Sequence, residues 1–246
     1  MRDERSLDEK LAPREFVNDF VWAGRAVFSQ PSLVLLSVAL WCIPAAIRFA
    51  TTSILARTGA YLVCGVLGLG WYGAERVFFL RRREGKPVTF GDLLESAPNF
   101  LGRFLSLGIL VGVVVAPLNA SVSALAVRKM GPAGLHAARV EALVVFVAVD
   151  FLLTFATPAL VFSTRSVRQA LRIGVSMIRQ TWPRSGLYVL CPPLALSMLN
   201  VVYPTELPVV RLVSTATFVL LALLAKGATV AFYLRERPAT LDAVAQ

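Results

Sequence analysis

Long apolar runs alternate with short charged segments along most of this chain. Six runs stand out, at about 32–49, 59–79, 100–120, 141–162, 186–202 and 209–232. Each has the length of about 17 to 25 residues at which an α-helix crosses a hydrocarbon core of about 30 Å. The fifth run carries Pro192 and Pro193, which a membrane helix tolerates when neighbouring groups bond the freed carbonyls. The pattern predicts six transmembrane helices.

A shorter amphipathic stretch precedes the first, third and fifth runs, and each ends near a proline: Pro31, Pro98 and Pro183. In the second stretch Thr89 and Asp92 form a capping pair at the start of a helix. We predict three copies of one unit, in which a cytoplasmic interfacial helix is followed by a span out and a span back. The apolar positions with helical spacing are Phe16, Val17, Phe20, Val21, Val27 and Phe28, then Phe90, Leu93, Leu94 and Ala97, then Val167, Ala170, Leu171, Gly174 and Ile178.

Composition agrees with a membrane protein. Hydrophobic residues make up 57% and charged residues 16% of the chain, and the mean hydropathy is +0.68. Soluble domains have about 45–50% hydrophobic and about 25% charged residues.

The first 30 residues contain six acidic side chains and no continuous apolar core, so they do not resemble a signal peptide. We expect one all-α integral membrane domain over 1–246, with 1–30 as an amphipathic cytoplasmic lead-in and 235–246 as a short cytoplasmic tail.

The distribution of Lys and Arg predicts the orientation. The net charge is +10, and most of the 25 basic residues lie before the first run, between runs two and three, between runs four and five, and after the last. Because such residues are retained on the cytoplasmic side, both termini are expected there. The basic residues flank apolar runs, so we expect a lipid bilayer and no nucleic acid as partner.

Two stretches carry a resemblance to a known group. Residues 73–96, GAERVFFLRRREGKPVTFGDLLES, contain the end of a span, a basic turn with a Glu-Gly pair and a short helix with an aspartate. Residues 155–188 agree with it: a span ends in TPALVF, a helix of the form SVRQALRIGVSMIRQTW follows, and a new span starts. Both resemble uncharacterised bacterial six-helix inner-membrane proteins, relatives of which form the membrane domain of some glycerophosphodiester phosphodiesterases. The resemblance implies a multi-pass protein of the bacterial inner membrane and nominates no catalytic residue.

Charged residues inside the runs are the candidate functional positions. A charge in the hydrocarbon region costs about 2.5–3.5 kcal/mol on insertion scales, so it usually faces the bundle and has a partner. Glu75 and Lys226 lie at similar depth and are candidates for an ion pair between the second and sixth runs. The alternative is that Glu75 pairs with adjacent basic residues at the interface and Lys226 snorkels inward. Asp150 lies about 10 Å from Lys226 along the membrane normal, at 1.5 Å per residue. It is expected to bond Asn119 or Thr154 as a structural pin, or to serve in a proton relay or substrate contact.

The third amphipathic stretch also carries an arginine stripe. Arg165, Arg168, Arg172 and Arg179 fall on the face opposite the apolar residues. They are expected either to fix topology or to bind anionic lipid headgroups or an acidic partner. Two rows of small residues, Ala60, Cys64, Gly65, Gly68 and Gly73 in the second run and Gly108, Gly112 and Ala116 in the third, are expected to pack helices within the monomer, or alternatively in a homodimer.

No nucleophile–base, nucleotide-binding or metal-binding motif accompanies these residues. The single histidine, His136, falls in the connection between the third and fourth runs. We therefore expect a non-enzymatic protein without catalytic, cofactor or metal residues. The favoured function is an envelope or membrane accessory component that contacts anionic lipid or a partner protein through its basic cytoplasmic face. The alternative is a small permease or channel that uses Asp150.

Overall fold

A computed structural model describes the backbone of residues 2–131, 133–202 and 208–245. Side chains are described within 13–118, 120–122, 124–125, 128–129, 131, 140–141, 143–195 and 208–237. The described part is helical, without strands, which confirms the all-α class. Its helices are α1 (Arg2–Phe28), α2 (Pro31–Ala50), α3 (Ile54–Arg83), α4 (Phe90–Ser96), α5 (Pro98–Met130), α6 (Ala133–Phe162), α7 (Val167–Thr181), α8 (Gly186–Val202) and α9 (Pro208–Ala245).

Five of these helices are long and apolar enough to cross a membrane: α2, α3, α5, α6 and α9. The chain is therefore a membrane protein by the length and composition of its helices. The helix at the fifth predicted span, α8, has 17 residues and a shorter apolar segment. The predicted cytoplasmic tail continues α9 as helix, and α6 begins at Ala133, so His136 lies on a helix rather than in a loop.

Helices α2, α4 and α5 have local sequence reasons for where they begin. Pro31 and Pro98 are the first residues of α2 and α5, a position where the missing N–H of proline costs no bond. The predicted cap of α4 is confirmed, since Thr89 and Asp92 each bond the backbone amide of the other. These bonds, with Arg81 at 3.3 Å, lower the pKa of Asp92, so the cap stays ionised.

The predicted apolar face of α1 is only partly right. Ala23 and Val27 are buried, and Phe16 and Phe20 pack against the core. Val17, Val21 and Phe28 are exposed instead. The buried face includes Asp19, which is 4% exposed because it is bonded by residues from α8 and α9. Hydrophobicity alone assigned this face incorrectly, since a buried ion pair occupies part of it.

The long helices are arranged with threefold repetition. The second long helix of each unit, α3, α6 and α9, contacts the other two. The first long helices fill the gaps: α2 packs between α3 and α9, α5 between α3 and α6, and α8 between α6 and α9. Helices α1, α4 and α7, which begin the three units, pack on the second long helix of the preceding unit, namely α9, α3 and α6. This cyclic order supports the predicted three-unit repeat.

A small residue marks the same place in all three units. Gly73, Ala156 and Gly227 each lie six positions before an aromatic residue, namely Phe79, Phe162 and Tyr233. The close neighbour of each comes from the next unit. The ring of Phe100 lies against Gly73, and Gly174 packs on the backbone of Ala156.

The third close approach joins the ends of the chain. A Cβ added at Gly227 would come within 2.6 Å of the Cβ of Ala23. The third unit therefore meets the first, and this contact completes the ring.

Two clusters of buried apolar side chains form the core. One joins α5–α9 and the other joins α1–α4 with α9. Both lie where α3, α6 and α9 finish and α2, α5 and α8 begin, which we call the basal half. In the other half large side chains such as Leu62, Val113 and Val213 are exposed. The buried apolar core thus lies in the basal half, and the large side chains of the opposite half lie on the surface of the bundle.

Candidate functional site

Glu75 is the centre of a buried polar group in the basal half. It is 3% exposed, and Lys226 Nζ of α9 lies 2.6 Å from its Oε2. Its other oxygen accepts a hydrogen bond of 2.7 Å from Ser37 of α2, which in turn accepts one from the indole of Trp71. Lys226 also lies 4.1 Å from the centre of the Tyr72 ring. The predicted Glu75–Lys226 ion pair is confirmed. Ser37 is a further partner of Glu75, which a comparison of depths in the membrane does not predict.

Arg76 is buried beside this pair without a carboxylate of its own. Its guanidinium donates to the Tyr72 carbonyl at 2.9 Å and to Thr157 Oγ1 of α6 at 2.6 Å. It also stacks on the Tyr72 ring at 3.8 Å. Arg76 is 3% exposed, and its Nε is buried without a hydrogen-bond partner in the described part of the chain. A cation is therefore held in fixed position with donor capacity left over.

Asp150 lies on α6, two turns before Thr157. Its carboxylate has no hydrogen bond or ion pair among the described residues, although Arg76 and Lys226 are near enough to act on it electrostatically. Thr154 does bond residue 150, but its hydroxyl donates to the backbone carbonyl rather than to the side chain. The side chain of Asn119, the other predicted partner, lies outside the described residues. The structural-pin hypothesis therefore lacks a described partner for the carboxylate.

A cavity of about 240 Å³ brings these groups together. Glu75, Arg76, Thr157 and Lys226 form its basal end, which we call the cavity floor. Asp150 faces it from farther up α6, and its upper wall includes the aromatic side chains Trp41, Phe146 and Phe218. Charged and polar groups from α3, α6 and α9 thus converge on one space, with Ser37 of α2 behind Glu75.

A second cavity, of about 570 Å³, adjoins the first and is mostly apolar. The two share Tyr72, Glu75, Thr157 and Lys226 in their walls. Cys64, Gly65, Gly68 and Gly108 line the second cavity. A Cβ at any of these three glycines would have no neighbour within 4 Å. The expectation that these rows pack helices together within the monomer is wrong at Gly65, Gly68 and Gly108, where the missing side chains leave open space. It is confirmed at Gly73, against which the Phe100 ring of α5 packs.

A second polar cluster joins α1 to α8 and α9 at the basal surface of the bundle. Asp19 accepts a hydrogen bond of 2.7 Å from Tyr188 Oη and pairs with Arg235 at 3.1 Å. Arg184 bridges Glu15 and Glu236, each at 3.1 Å. The sequence reading treated the two arginines as topology signals and missed this cluster. The one available signal was an acidic pair, Glu15 and Asp19, spaced i, i+4 on α1.

The arginine stripe lies on the free side of α7. Arg165, Arg168, Arg172 and Arg179 are exposed, while Ala170, Ile173 and Met177 are buried against the core. Ser166 caps the helix by accepting the Gln169 amide. The four arginines have no ion pair within the described residues. They present a uniformly basic surface at the basal end of the bundle.

Among the described residues, no group of three or more His, Cys, Asp or Glu side chains is placed to hold a metal ion. What the arrangement offers is a set of fixed charges around a cavity inside an otherwise apolar helix bundle. No family model, curated protein or solved structure matches this chain.

Proposed function

We propose that this chain is a small permease or channel, a non-enzymatic protein whose solute path includes the cavity around Asp150. The observation that carries the proposal is the convergence of buried polar groups from several helices on one cavity. Transport paths need such convergence, since a charge in the hydrocarbon region is tolerated where it has partners or lines a hydrated space. Sequence spacing had favoured an accessory role because the polar groups seemed confined to one or two spans.

The proposal includes a full membrane topology. We infer six spans, with α8 as the fifth beside the five longer helices, and α1, α4 and α7 as interfacial helices. By the distribution of Lys and Arg, the basal half faces the cytoplasm together with both termini. The resemblance to bacterial inner-membrane proteins favours that membrane. In this orientation we infer that the cavity is closed toward the cytoplasm, where the basal half is packed, and opens toward the outside.

Thiol labelling tests whether water and solutes reach the cavity. Cys42, Cys64 and Cys191 are first replaced by Ala, and Asp150 is then changed to Cys. A small, charged, membrane-impermeant thiosulfonate reagent added to intact cells should modify Asp150→Cys, because the cavity connects this position to the outer aqueous phase.

Leu152→Cys is the matched control. Leu152 is two residues away on α6, is 47% exposed on the outer surface of the bundle, and faces lipid in the proposed topology. It should not react with the charged reagent. Failure of Asp150→Cys to react from either side of the membrane would overturn the proposal.

The arginine stripe on α7 supports a second candidate function, an accessory role based on anionic lipid. Four exposed arginines without internal ion pairs remain available to headgroups, and each contributes about 1 kcal/mol near an anionic surface. This role is compatible with a solute cavity, since the two sites lie on different parts of the molecule.

Changing Arg165, Arg168 and Arg172 together to Gln tests the lipid site. Mass spectrometry of the protein released from mixed phosphatidylglycerol and phosphatidylcholine nanodiscs should show loss of the retained phosphatidylglycerol. The control changes Arg128, Lys129 and Arg211 to Gln, which removes the same charge from the opposite end of the bundle. Equal loss in both triple variants would show that only net charge matters and would exclude a specific site.

A further inference from the structure

The smaller cavity contains two opposite charges that have no ion-pair partner among the described residues. The Glu75 and Lys226 charges neutralise each other at 2.6 Å. Arg76 and Asp150 have no ion pair within the described part of the chain, yet both line the cavity. They are also too far apart to bond each other. The protein thus holds a positive group at the cavity floor and a negative group farther up the wall.

The separation suits a ligand with two charged ends. Thr157, which anchors Arg76, follows Asp150 by seven residues, or about 10 Å along the helix axis. The distance between the two charged side chains is therefore larger than a salt bridge and within the span of a small organic molecule.

The upper wall favours an ammonium group near Asp150. Phe146 lies one turn from Asp150 on α6, and Phe218 lies two turns above Lys226 on α9. Trp41 lies one turn above Ser37 on α2. These aromatic rings are therefore at about the height of Asp150, and aromatic faces attract cations. A cationic group at this level would contact both a carboxylate and aromatic rings.

Charge balance restricts the ligand further. With the Asp150 carboxyl ionised, Glu75 and Asp150 balance Arg76 and Lys226, and the cavity wall is formally neutral. A simple anion would leave Asp150 unpaired, and a simple cation would leave Arg76 unpaired. Either would add net charge to a space surrounded by apolar helices, where uncompensated charge is costly. A ligand that carries both charges avoids this cost.

We propose that the cavity binds a zwitterion, with its anionic group at Arg76 and its ammonium group at Asp150. This inference rests on the proposed solute cavity and names its ligand class. The zwitterion has two possible sources: a free molecule of the amino-acid or betaine type, or the headgroup of a lipid. A lipid would place its apolar chain in the adjoining cavity of about 570 Å³.

Binding is measured by calorimetry on the full chain in a maltoside detergent, which brings no zwitterion of its own. The probes are glycine betaine, with acetate and tetramethylammonium as single-charge counterparts, and lysophosphatidylcholine with lysophosphatidylglycerol for the lipid source. We expect at least one zwitterion to bind tenfold or more tightly than its counterparts. Betaine binding indicates a free ligand, and binding of lysophosphatidylcholine alone indicates a lipid.

Variants assign the two ends. Asp150→Asn should remove the advantage of betaine over acetate, or of lysophosphatidylcholine over lysophosphatidylglycerol. Arg76→Gln should remove the advantage of betaine over tetramethylammonium. If Arg76→Gln does not fold, Arg76→Lys is the second variant. It keeps the positive charge on a shorter side chain with fewer N–H donors and should still weaken zwitterion binding. Glu95→Gln, an exposed carboxylate on α4, serves as the control and should bind as the unchanged protein does.

The zwitterion proposal is overturned if no zwitterion binds better than its single-charge counterparts, or if Asp150→Asn leaves the preference intact. Acetate or tetramethylammonium binding that depends on Arg76 or Asp150 would still support a solute cavity. A cavity closed to the thiol reagent would instead contradict the solute path itself. The two failures are therefore distinguishable.

Discussion

At the scale of single residues, the Glu75–Lys226 pair illustrates how a charge is tolerated in an apolar bundle. Removal of two charges from water costs several kcal/mol for each ion, and close geometry with further hydrogen bonds offsets this. Ser37 supplies one such bond and the Tyr72 ring faces the ammonium group.

The depths of Glu75 and Lys226 along the predicted spans indicated this pair, because two ions inside a membrane can meet only if they lie at the same depth. The same reasoning could not find Ser37, because a serine inside an apolar run carries no signal of its own.

Loss of one member of this pair should be more damaging than loss of both. Lys226→Met leaves the Glu75 carboxylate buried without its cation and should destabilise the protein by about 3–5 kcal/mol. The double variant Glu75→Leu with Lys226→Met removes both charges and should recover much of this loss. Thermal unfolding in detergent, compared across the two single variants and the double variant, measures the coupling.

The exposed pair between Lys86 and Glu84 is the matched control. These side chains are 65% and 42% exposed, so Lys86→Met should cost less than about 1 kcal/mol. An equal effect of the Lys226 and Lys86 substitutions would contradict the assigned role of the buried pair.

At the scale of helices, the three units are held together by close approaches at small residues. Gly73, Ala156 and Gly227 occur at corresponding positions, and each accepts its neighbour from the next unit. The glycines in the half opposite the basal half have no such neighbour. Periodicity predicts where helices form, but it cannot tell which glycine lies at a contact and which lies beside a cavity. That depends on how the helices are arranged, which local sequence does not encode.

Two glycine substitutions should therefore have opposite effects. Gly73→Ala places a Cβ against the base of the Phe100 ring, which cannot move away easily, and should destabilise by about 1–3 kcal/mol. Gly112→Ala meets no atom within 4 Å and gains helix propensity of up to about 1 kcal/mol. Melting temperatures of the two variants in one detergent provide the comparison. A neutral Gly73→Ala would show that the ring is not held in this place.

At the scale of the whole molecule, the concentration of buried side chains in the basal half gives the bundle a direction. The core, the Asp19–Arg235 cluster and the arginine stripe all lie at the basal end. In the Asp19–Arg235 cluster, Arg184 and Arg235 pair with Glu15 and Asp19. The exposed basic surface is therefore smaller than the net charge of +10 suggests. The remaining positive charge still favours the cytoplasm for this end.

Labelling from outside the cell tests this direction. In the cysteine-free background, Thr52→Cys in the exposed turn between α2 and α3 should react with an impermeant maleimide in intact cells. Lys86→Cys, in the connection between α3 and α4, should react only after the membrane is permeabilised. The reverse pattern would invert the proposed topology and turn the cavity opening toward the cytoplasm.

The sequence by itself determined that this is an all-helical membrane protein, and each predicted run lies within one of the long helices, although α5, α6 and α9 extend well beyond the predicted ends. It also indicated the three-unit order and the Glu75–Lys226 pair. These features follow from local quantities: apolar length, proline position and depth within a span. Only the tertiary structure decided that Arg76 meets Thr157, that Asp19 is buried under α8 and α9, and that the glycine rows border a cavity. Those facts depend on which helix faces which, and the contacts responsible join residues about 80 to 220 positions apart.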